Sequence, residues 1–360
     1  MHFERFSREM KRFRGVWDVR QKVSNLQEEA GVATASIVTE GEGWSVGTRQ
    51  VLLEWASMVP RNHRGNFWKT IVACMPLYLA HFITPAPVRY FKANWRYGLY
   101  VVYPLLMIVL FALSAALATW AISTLVGGIG LLVSILLGVG LFLLMFRYVG
   151  GRYHVPMVLD VMHYTHTLAT RTEPISEQRI ETFASFVGGE LQGQRGDEII
   201  VTFHSTGSVF AVATMAAALR ENENLFDDIV VNMVGVGSNL LKLGLMSECD
   251  WLRDDIELLI GHPNVQWVEF YARDDILCFS GRGPDYAVDA EPSRPPISRR
   301  VRFSRMISSE RYKKIKGRFF RLHRQMLLAN ERRYFYDFYL LTCGPQRVVD
   351  MVSREQGDSA

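Results

Sequence analysis

The sequence predicts a mixed α/β protein whose mostly parallel sheet is flanked by helices and interrupted by a two-helix transmembrane hairpin. The first supporting observation is residues 198–219, where an apolar β-branched run meets a polar turn and then an Ala-rich segment. The second is residues 97–146, which contain no charged side chain. The third is the alternation of strand and helix patterns after residue 198, which favours a parallel sheet.

The uncharged segment is too long for one membrane span. A bilayer core about 30 Å thick needs about 20 helical residues, so residues 97–146 must fold back on themselves. We predict spans at about residues 100–122 and 129–146, with a break near residues 124–128. A buried hairpin in a soluble protein is the less favoured alternative. Small residues recur at four-residue spacing and favour close packing of helices, within one chain or between two copies: Ala112, Ala116, Gly130, Ser134 and Gly138.

Basic residues flank the predicted hairpin on both sides, and its connecting turn carries none. Arg89, Lys92 and Arg96 precede the first span, whereas Arg147 and Arg152 follow the second. The positive-inside rule then predicts that both flanks, and so both ends of the chain, are cytoplasmic.

Three regions follow from the position of this hairpin. Residues 1–95 form an N-terminal interfacial segment that contributes to the main domain, residues 96–147 form the hairpin, and residues 148–360 form a cytosolic α/β domain. The elements expected outside the hairpin are helices at 1–30, 67–83, 175–191, 248–261, 310–330 and 334–341, strands at 32–38, 49–55, 199–202, 228–234 and 265–271, and a loop at 281–298. Of these, the helix at 67–83 is expected to lie in the membrane interface rather than to form a third span.

Composition excludes several classes of function. The 40 basic and 36 acidic residues give a net charge of only +4, which is too small a bias for a nucleic-acid-binding protein. The four cysteines lack the spacing of a zinc site or a disulfide framework. His163 and His166 are spaced like metal ligands on a helix but lack a third ligand, so we expect no metal and no cofactor.

The turn after residue 202 carries the first candidate for catalysis. The sequence Phe-His-Ser-Thr-Gly at 203–207 matches the nucleophile elbow G-x-S-x-G except at its first position, where Phe203 replaces glycine. An elbow of this kind holds its serine, here Ser205, above the sheet and directs the N–H groups of the following helix towards it. The alternative is an ordinary strand-to-helix junction capped by a serine or threonine.

Two further positions suit acyl-transfer chemistry. Asp274 and Asp275 follow the strand at 265–271, and His323 is the only histidine after them. A serine hydroxyl needs a base, and that base needs a carboxylate to orient it. We favour Asp275 as the acid because the apolar pair Ile276-Leu277 follows it, with Asp274 as the fallback. His204 is expected to pack beside the elbow rather than to act as the base.

The order of these motifs resembles that of the serine α/β-hydrolase superfamily, and in particular its bacterial membrane-anchored members. The resemblance covers roughly residues 175–345, through the sequences F-H-S-T-G, V-E-F-Y-A-R-D-D-I-L and F-F-R-L-H-R-Q-M. It implies an α/β-hydrolase-like fold at the bacterial inner membrane, with Ser205 as nucleophile, His323 as base and Asp275 as acid. It also implies that the backbone N–H of Thr206 donates to the oxyanion.

The chain departs from the family in two places. Phe203 replaces the first glycine of the elbow, and no His-Gly motif precedes Ser205 to supply the second oxyanion donor. Either the sequence starts short of an early strand, or the oxyanion site is built differently, or the protein is a degenerate hydrolase. Two functions therefore stay open. The first is a membrane-anchored esterase or lipase-like enzyme acting on a lipid or small-molecule ester, and the second is a catalytically inactive interaction or scaffold protein.

Overall fold

The computed structural model describes residues 2–55, 70–126, 130–193 and 196–353. The chain forms two compact units. Unit 1 comprises Met1–Met58, Pro174–Leu245 and Cys249–Ala360, and unit 2 comprises Val59–Glu173 and Met246–Glu248. The sequence divided the chain at residues 95 and 147, whereas residues 148–173 belong with the apolar helices of unit 2. The predicted mixed α/β fold is confirmed.

The N-terminal part of unit 1 contains one helix and an antiparallel sheet. Helix α1 ends at Trp17, well before the predicted residue 30, because Asp18 takes a left-handed conformation (φ 54°) that breaks the helix. The chain then forms a short strand, Arg20–Val23, that pairs antiparallel with Val32–Gly41, with Arg20 opposite Glu40. The two predicted strands are confirmed and are longer than expected. The elements are α1 His2–Trp17, β1 Arg20–Val23, β2 Gln27–Glu29, β3 Val32–Gly41 and β4 Trp44–Leu53.

Unit 2 is helical in its described parts. Its two longest apolar helices, Trp95–Leu125 and Gly130–Gly150, have mean hydropathies of 2.5 and 2.2 and are long and apolar enough to cross a membrane. A pair bent by 71°, Ile71–His81 and Ala86–Ala93, would make a third span if it counts as one broken helix. The helices are α2 Met75–His81, α3 Ala86–Ala93, α4 Trp95–Val126, α5 Gly130–Leu144 and α6 Val155–Ala169, with π-helical turns at Thr70–Cys74 and Met145–Gly150.

The small residues of α5 lie against α4. Gly130, Ser134 and Gly138 are buried, and a Cβ on Gly138 would lie 3.1 Å from the carbonyl oxygen of Ala115. This close approach is what the small-residue spacing predicts. Ala112 and Ala116, on α4, remain exposed. Residues 127–129, on which the predicted break at 124–128 partly falls, lie outside the described residues. So do residues 67–69, the first three of the predicted helix at 67–83.

The C-terminal part of unit 1 is built on a four-stranded parallel sheet in the order β5-β6-β7-β8. Its elements are α7 Pro174–Gly193, β5 Ile199–Ser205, α8 Gly207–Glu221, β6 Val231–Ser238, α9 Leu241–Gly244, α10 Asp250–Gly261, β7 Val265–Ala272, a 3₁₀ turn Pro284–Ala287, β8 Ile297–Val301, α11 Phe303–Met306, α12 Ser309–Ile315, α13 Phe319–His323, a 3₁₀ turn Arg324–Leu327, α14 Phe338–Cys343 and α15 Val348–Ser353.

Two segments differ from the sequence prediction. The end of the predicted loop at 281–298 is the start of β8, which pairs with β7 although its Ile-Ser-Arg-Arg-Val sequence lacks an apolar run. The predicted helix at 310–330 is three short pieces. It breaks at Gly317, whose left-handed backbone (φ 80°) a helix does not accept.

The two faces of the parallel sheet bury different partners. Alternate residues of β6 and β7, such as Val236 and Phe270, join one apolar cluster with Phe13 of α1 and Tyr339 of α14. Helix α8 packs against α7, α10 and β5, and α10 also contacts β7. The period-two alternation of the strands therefore places the sheet between two layers, with the carboxyl ends of β5, β6 and β7 at one common edge.

A buried carboxyl group interrupts the apolar core of β7. Glu269 is 7% exposed, and its Oε1 accepts a hydrogen bond of 3.0 Å from the indole of Trp267. Its partner across the sheet is Gly235, whose missing side chain leaves room for the carboxyl group. Burial raises the pKa of Glu269 to about 8, although the bond from Trp267 opposes this shift.

We expect Glu269→Gln to flatten the dependence of stability on pH. The folded pKa of Glu269 lies above its unfolded value. Below about pH 4.5 the carboxyl group is protonated in both the folded and the unfolded state, so its burial does not reduce stability. As the pH rises from there towards 8, the unfolded state loses the proton more readily than the folded state, and stability is lost. An amide stays neutral, so the variant should lose less thermal stability than the wild type between pH 5 and pH 8. The stability that the wild type loses is of the order of 1.4 kcal/mol for each unit by which the folded pKa of Glu269 exceeds its unfolded pKa.

The measurement is the unfolding midpoint of the detergent-solubilised protein across this range of pH. Glu257→Gln is the matched control, because Glu257 is exposed on α10. If Glu269→Gln and Glu257→Gln followed the same pH dependence as the wild type, the raised pKa would be wrong.

Candidate active site

Ser205 lies at a strained turn between β5 and α8. Its backbone is left-handed, with φ 55°, a conformation that costs a residue with a side chain of the order of 1–3 kcal/mol. The carbonyl oxygen of Ser205 accepts hydrogen bonds from the N–H of Asn239 (3.3 Å) and from the hydroxyl of Ser208 (2.7 Å). These contacts hold the turn in place. A strand therefore stops and a helix begins within two residues, as an elbow requires.

The first and last positions of the elbow sequence have separate explanations. Phe203, where glycine was expected, is buried, and its ring packs edge-on against Trp267 at 5.8 Å. Gly207 is required, because a Cβ there would lie 2.9 Å from the indole nitrogen of Trp55. Trp55 follows β4 and stacks on Phe210 of α8 at 5.3 Å. The end of the antiparallel hairpin is therefore packed against the elbow, a contact that the sequence did not reveal.

Asp275 and His323 form a buried pair. The distance between His323 Nδ1 and Asp275 Oδ2 is 2.6 Å, and the two residues are 1% and 4% exposed, respectively. A carboxylate oxygen accepts hydrogen bonds, so Nδ1 donates to Asp275 and Nε2 is the ring nitrogen left for another partner. Nε2 is buried, and within the described parts of the chain it has no hydrogen-bond partner.

The two adjacent aspartates have different partners. The second oxygen of Asp275, Oδ1, accepts the backbone N–H of Leu277 at 3.0 Å, which fixes the carboxylate towards His323. Asp274 instead accepts a hydrogen bond of 2.7 Å from the hydroxyl of Tyr312, in an exposed position. The structure thus pairs His323 with the favoured acid and not with the fallback.

Gly237 connects the Asp-His pair to the elbow. A Cβ on Gly237 would lie 3.4 Å from Asp275 Oδ2 and 3.5 Å from His323 Cε1, and its φ of 65° also favours glycine. The next residue, Ser238, pairs with Ser205 across β5 and β6. Neighbouring strands lie about 4.8 Å apart and consecutive Cα atoms about 3.8 Å, so the Cα atoms of Ser205 and Gly237 are within about 9 Å.

His204 gives independent evidence that the elbow lies beside His323. The two imidazole rings have centroids 4.2 Å apart, and His204 Nε2 lies 3.2 Å from the backbone oxygen of His323. Since a carbonyl oxygen accepts, His204 Nε2 must donate. Burial, and then the neighbouring His323, lower the pKa of His204 well below its usual value, so its ring is neutral at physiological pH.

Thr206, the predicted oxyanion donor, directly precedes α8 without capping it. Its backbone is helical (φ −63°, ψ −18°), and its side chain makes no capping hydrogen bond. Its hydroxyl oxygen accepts a hydrogen bond from Nζ of Lys242 at 3.3 Å instead. Lys242 is 1% exposed, and burial lowers its pKa to about 7. Sequence reasoning missed this residue, although a lysine inside the apolar run Leu-Leu-Lys-Leu is an available signal.

The structure gives no ligand set for a metal at the predicted histidine pair. His163 and His166 lie on α6. Among the described residues, no three His, Cys, Asp or Glu side chains form a group able to hold a metal ion. The four cysteines are buried and unbridged.

No protein-family model, curated protein or solved structure matches this chain.

We expect the left-handed backbone to make Ser205→Gly more stable than Ser205→Ala. Both substitutions remove the hydroxyl, but only glycine adopts φ 55° without strain. The expected difference in the free energy of unfolding is about 1 kcal/mol, measured as unfolding midpoints in detergent. Ser185 on α7 is the matched control, because it is exposed within a helix. There the order should reverse, with alanine more stable by about 1 kcal/mol. An alanine variant at least as stable as the glycine variant at position 205 would contradict the strained elbow.

Proposed function

We propose that this chain is a membrane-anchored serine hydrolase of the α/β-hydrolase type that cleaves an ester by acyl transfer. The observation that carries the proposal is the buried Asp275–His323 hydrogen bond beside the turn that holds Ser205. A histidine whose Nδ1 is bound by a carboxylate and whose Nε2 is unpartnered has the arrangement of a general base. The parallel sheet supports the proposal too, since Ser205 and Asp275 both follow the carboxyl ends of its strands.

In the proposed reaction, His323 Nε2 removes the proton of the Ser205 hydroxyl as the serine oxygen attacks the ester carbonyl. Asp275 keeps the imidazole in the required tautomer and stabilises the imidazolium that forms. The N–H of Thr206 donates to the oxyanion. His323 then passes its proton to the departing alkoxide, which leaves as an alcohol, and water hydrolyses the acyl-enzyme. None of these steps requires a cofactor.

The substrate is a lipid or small-molecule ester close to a membrane. Two helices of unit 2 are long and apolar enough to cross a bilayer, which supports an enzyme anchored in a membrane. The proposed location is the bacterial inner membrane, with both ends of the chain in the cytoplasm. Exposed Ala112 and Ala116 offer a small-residue surface on α4 through which two copies could associate.

The alternative is a catalytically inactive protein that uses the same fold for interaction. One observation favours it. Within the described residues, β5 pairs only with β6, so the sheet lacks a strand on the side from which the family's second oxyanion donor usually comes. A site with one donor would be a slow catalyst, because the loss of a single oxyanion donor reduces turnover by about 10²–10³-fold.

A fluorophosphonate probe separates the enzyme from the inactive protein. We expect the detergent-solubilised wild type to be labelled at Ser205, and Ser205→Ala to abolish labelling. Asp275→Asn should slow labelling by roughly 10³–10⁴-fold, because the amide favours the wrong imidazole tautomer. Asp274→Asn is the matched control and should label at the wild-type rate, since Asp274 contacts Tyr312 and not His323. A folded wild type that is not labelled would overturn the proposed hydrolase.

Membrane orientation is tested by cysteine labelling. The native cysteines are buried, so an introduced cysteine reports its own position. In spheroplasts, a membrane-impermeant maleimide should label Thr124→Cys, at the end of α4 that precedes the turn of the hairpin. It should label Lys92→Cys, on α3 just before the first span, only after permeabilisation. The opposite pattern would reverse the proposed orientation, and labelling of both sites from outside would exclude it.

A further inference from the structure

Lys242 binds the threonine that follows the proposed nucleophile, and the role argued for it rests on the proposed hydrolase function. A threonine at the start of a helix ordinarily takes an extended backbone and caps the helix, with its hydroxyl oxygen accepting the N–H two or three residues later. Thr206 does neither. Its backbone is helical, and it makes no capping bond. Its hydroxyl oxygen instead accepts from Lys242, at 3.3 Å.

This difference matters because Thr206 follows the proposed nucleophile. An extended backbone at Thr206 would rotate the peptide between Ser205 and Thr206 relative to α8, and the N–H of Thr206 would no longer converge with the N–H groups of the first turn. A hydroxyl that capped α8 would also occupy one of the N–H groups of its first turn. The bond to Lys242 opposes both changes, since it holds the Thr206 hydroxyl on the side of α9.

The fold makes Lys242 a rigid partner for this purpose. It lies on the short helix α9, which begins three residues after β6, and Leu241 and Leu243 on either side of it are buried. The backbone N–H of Lys242 donates to the carbonyl oxygen of Asn239 at 3.1 Å, and the N–H of Asn239 donates to the carbonyl oxygen of Ser205. The segment that carries the ammonium group is therefore tied to the elbow at its backbone as well.

We propose that Lys242 is a positioning residue that, through the Thr206 hydroxyl, keeps the first turn of α8 uncapped and its N–H groups directed at the oxyanion. The side chain is buried, and the contact through which it would act is its hydrogen bond to the Thr206 hydroxyl. The cost of burying an amine in this place is visible in its lowered pKa, which burial brings to about 7.

The test uses the rate of fluorophosphonate labelling at Ser205 in the full-length, detergent-solubilised protein. Lys242→Met keeps the length and burial of the side chain and removes the donor. We expect it to lower the maximal labelling rate by roughly 100-fold, as for a lost oxyanion donor, with little change in the probe concentration for half-maximal rate. Leu243→Met is the matched control on the same helix and should label at the wild-type rate.

The decisive variant is the double substitution Lys242→Met with Thr206→Ala. Alanine has no hydroxyl with which to cap α8, so we expect it to restore most of the labelling lost in Lys242→Met. A lysine that only supported packing would give no such rescue. Unfolding midpoints of all variants, measured in the same detergent, verify that each compared protein is folded.

The outcomes are distinct. A wild type that is not labelled overturns the hydrolase and the role of Lys242 with it. A labelled wild type with Lys242→Met at the same rate overturns the role of Lys242 alone. A slow Lys242→Met that Thr206→Ala does not rescue also overturns it, because the lysine would then act on packing or charge and not through the threonine hydroxyl.

Discussion

The left-handed backbone at Ser205 is the constraint on which the rest of unit 1 depends. With φ at 55°, the chain turns from a strand to a helix within two residues, and this fixes where α8 meets the sheet. The close contact between Gly207 and Trp55 follows from that position, as does the stacking of Trp55 on Phe210. The turn, whose strain is about 1–3 kcal/mol, is held by contacts from Asn239, Ser208 and Trp55.

Much of this architecture is predictable because the local sequence signals agree with one another. The apolar runs in β6 and β7 are buried on both faces, as in parallel sheets generally, whereas β5 is mostly half-buried; β5 and β6 are each followed by a turn and a helix pattern. The hairpin of unit 2 is predictable for a similar reason, since a long uncharged segment has few alternatives to a membrane. Strand β8 is different. Its two arginines, Arg299 and Arg300, suit an edge position but hide it from a search for apolar alternation.

The site was less predictable than the fold because its geometry comes from long-range contacts. Ser205 could be found from its turn, and Asp275 from its place after a strand. The pairing of His323 with Asp275 joins segments 48 residues apart, and only its order in the chain suggested it. The contact of Trp55 with the elbow spans a still longer separation and includes no recognisable motif. Lys242 was hidden for another reason, since a lysine in an apolar run is usually an exposed side chain of an amphipathic helix.

The choice between an enzyme and an inactive scaffold turns on why this edge of the sheet contains buried polar groups at all. Asp275, His323 and Lys242 are each less than 5% exposed, and burying such groups has a free-energy cost. Well-packed apolar residues often replace buried ion pairs with no loss of stability, so a scaffold has no need of them. Nε2 of His323 is also buried and has no hydrogen-bond partner among the described residues. In a hydrolase that nitrogen would be the base, although the Ser205 hydroxyl is not hydrogen-bonded to it in this structure. Buried polar groups gathered at one strand edge therefore support catalysis over scaffolding.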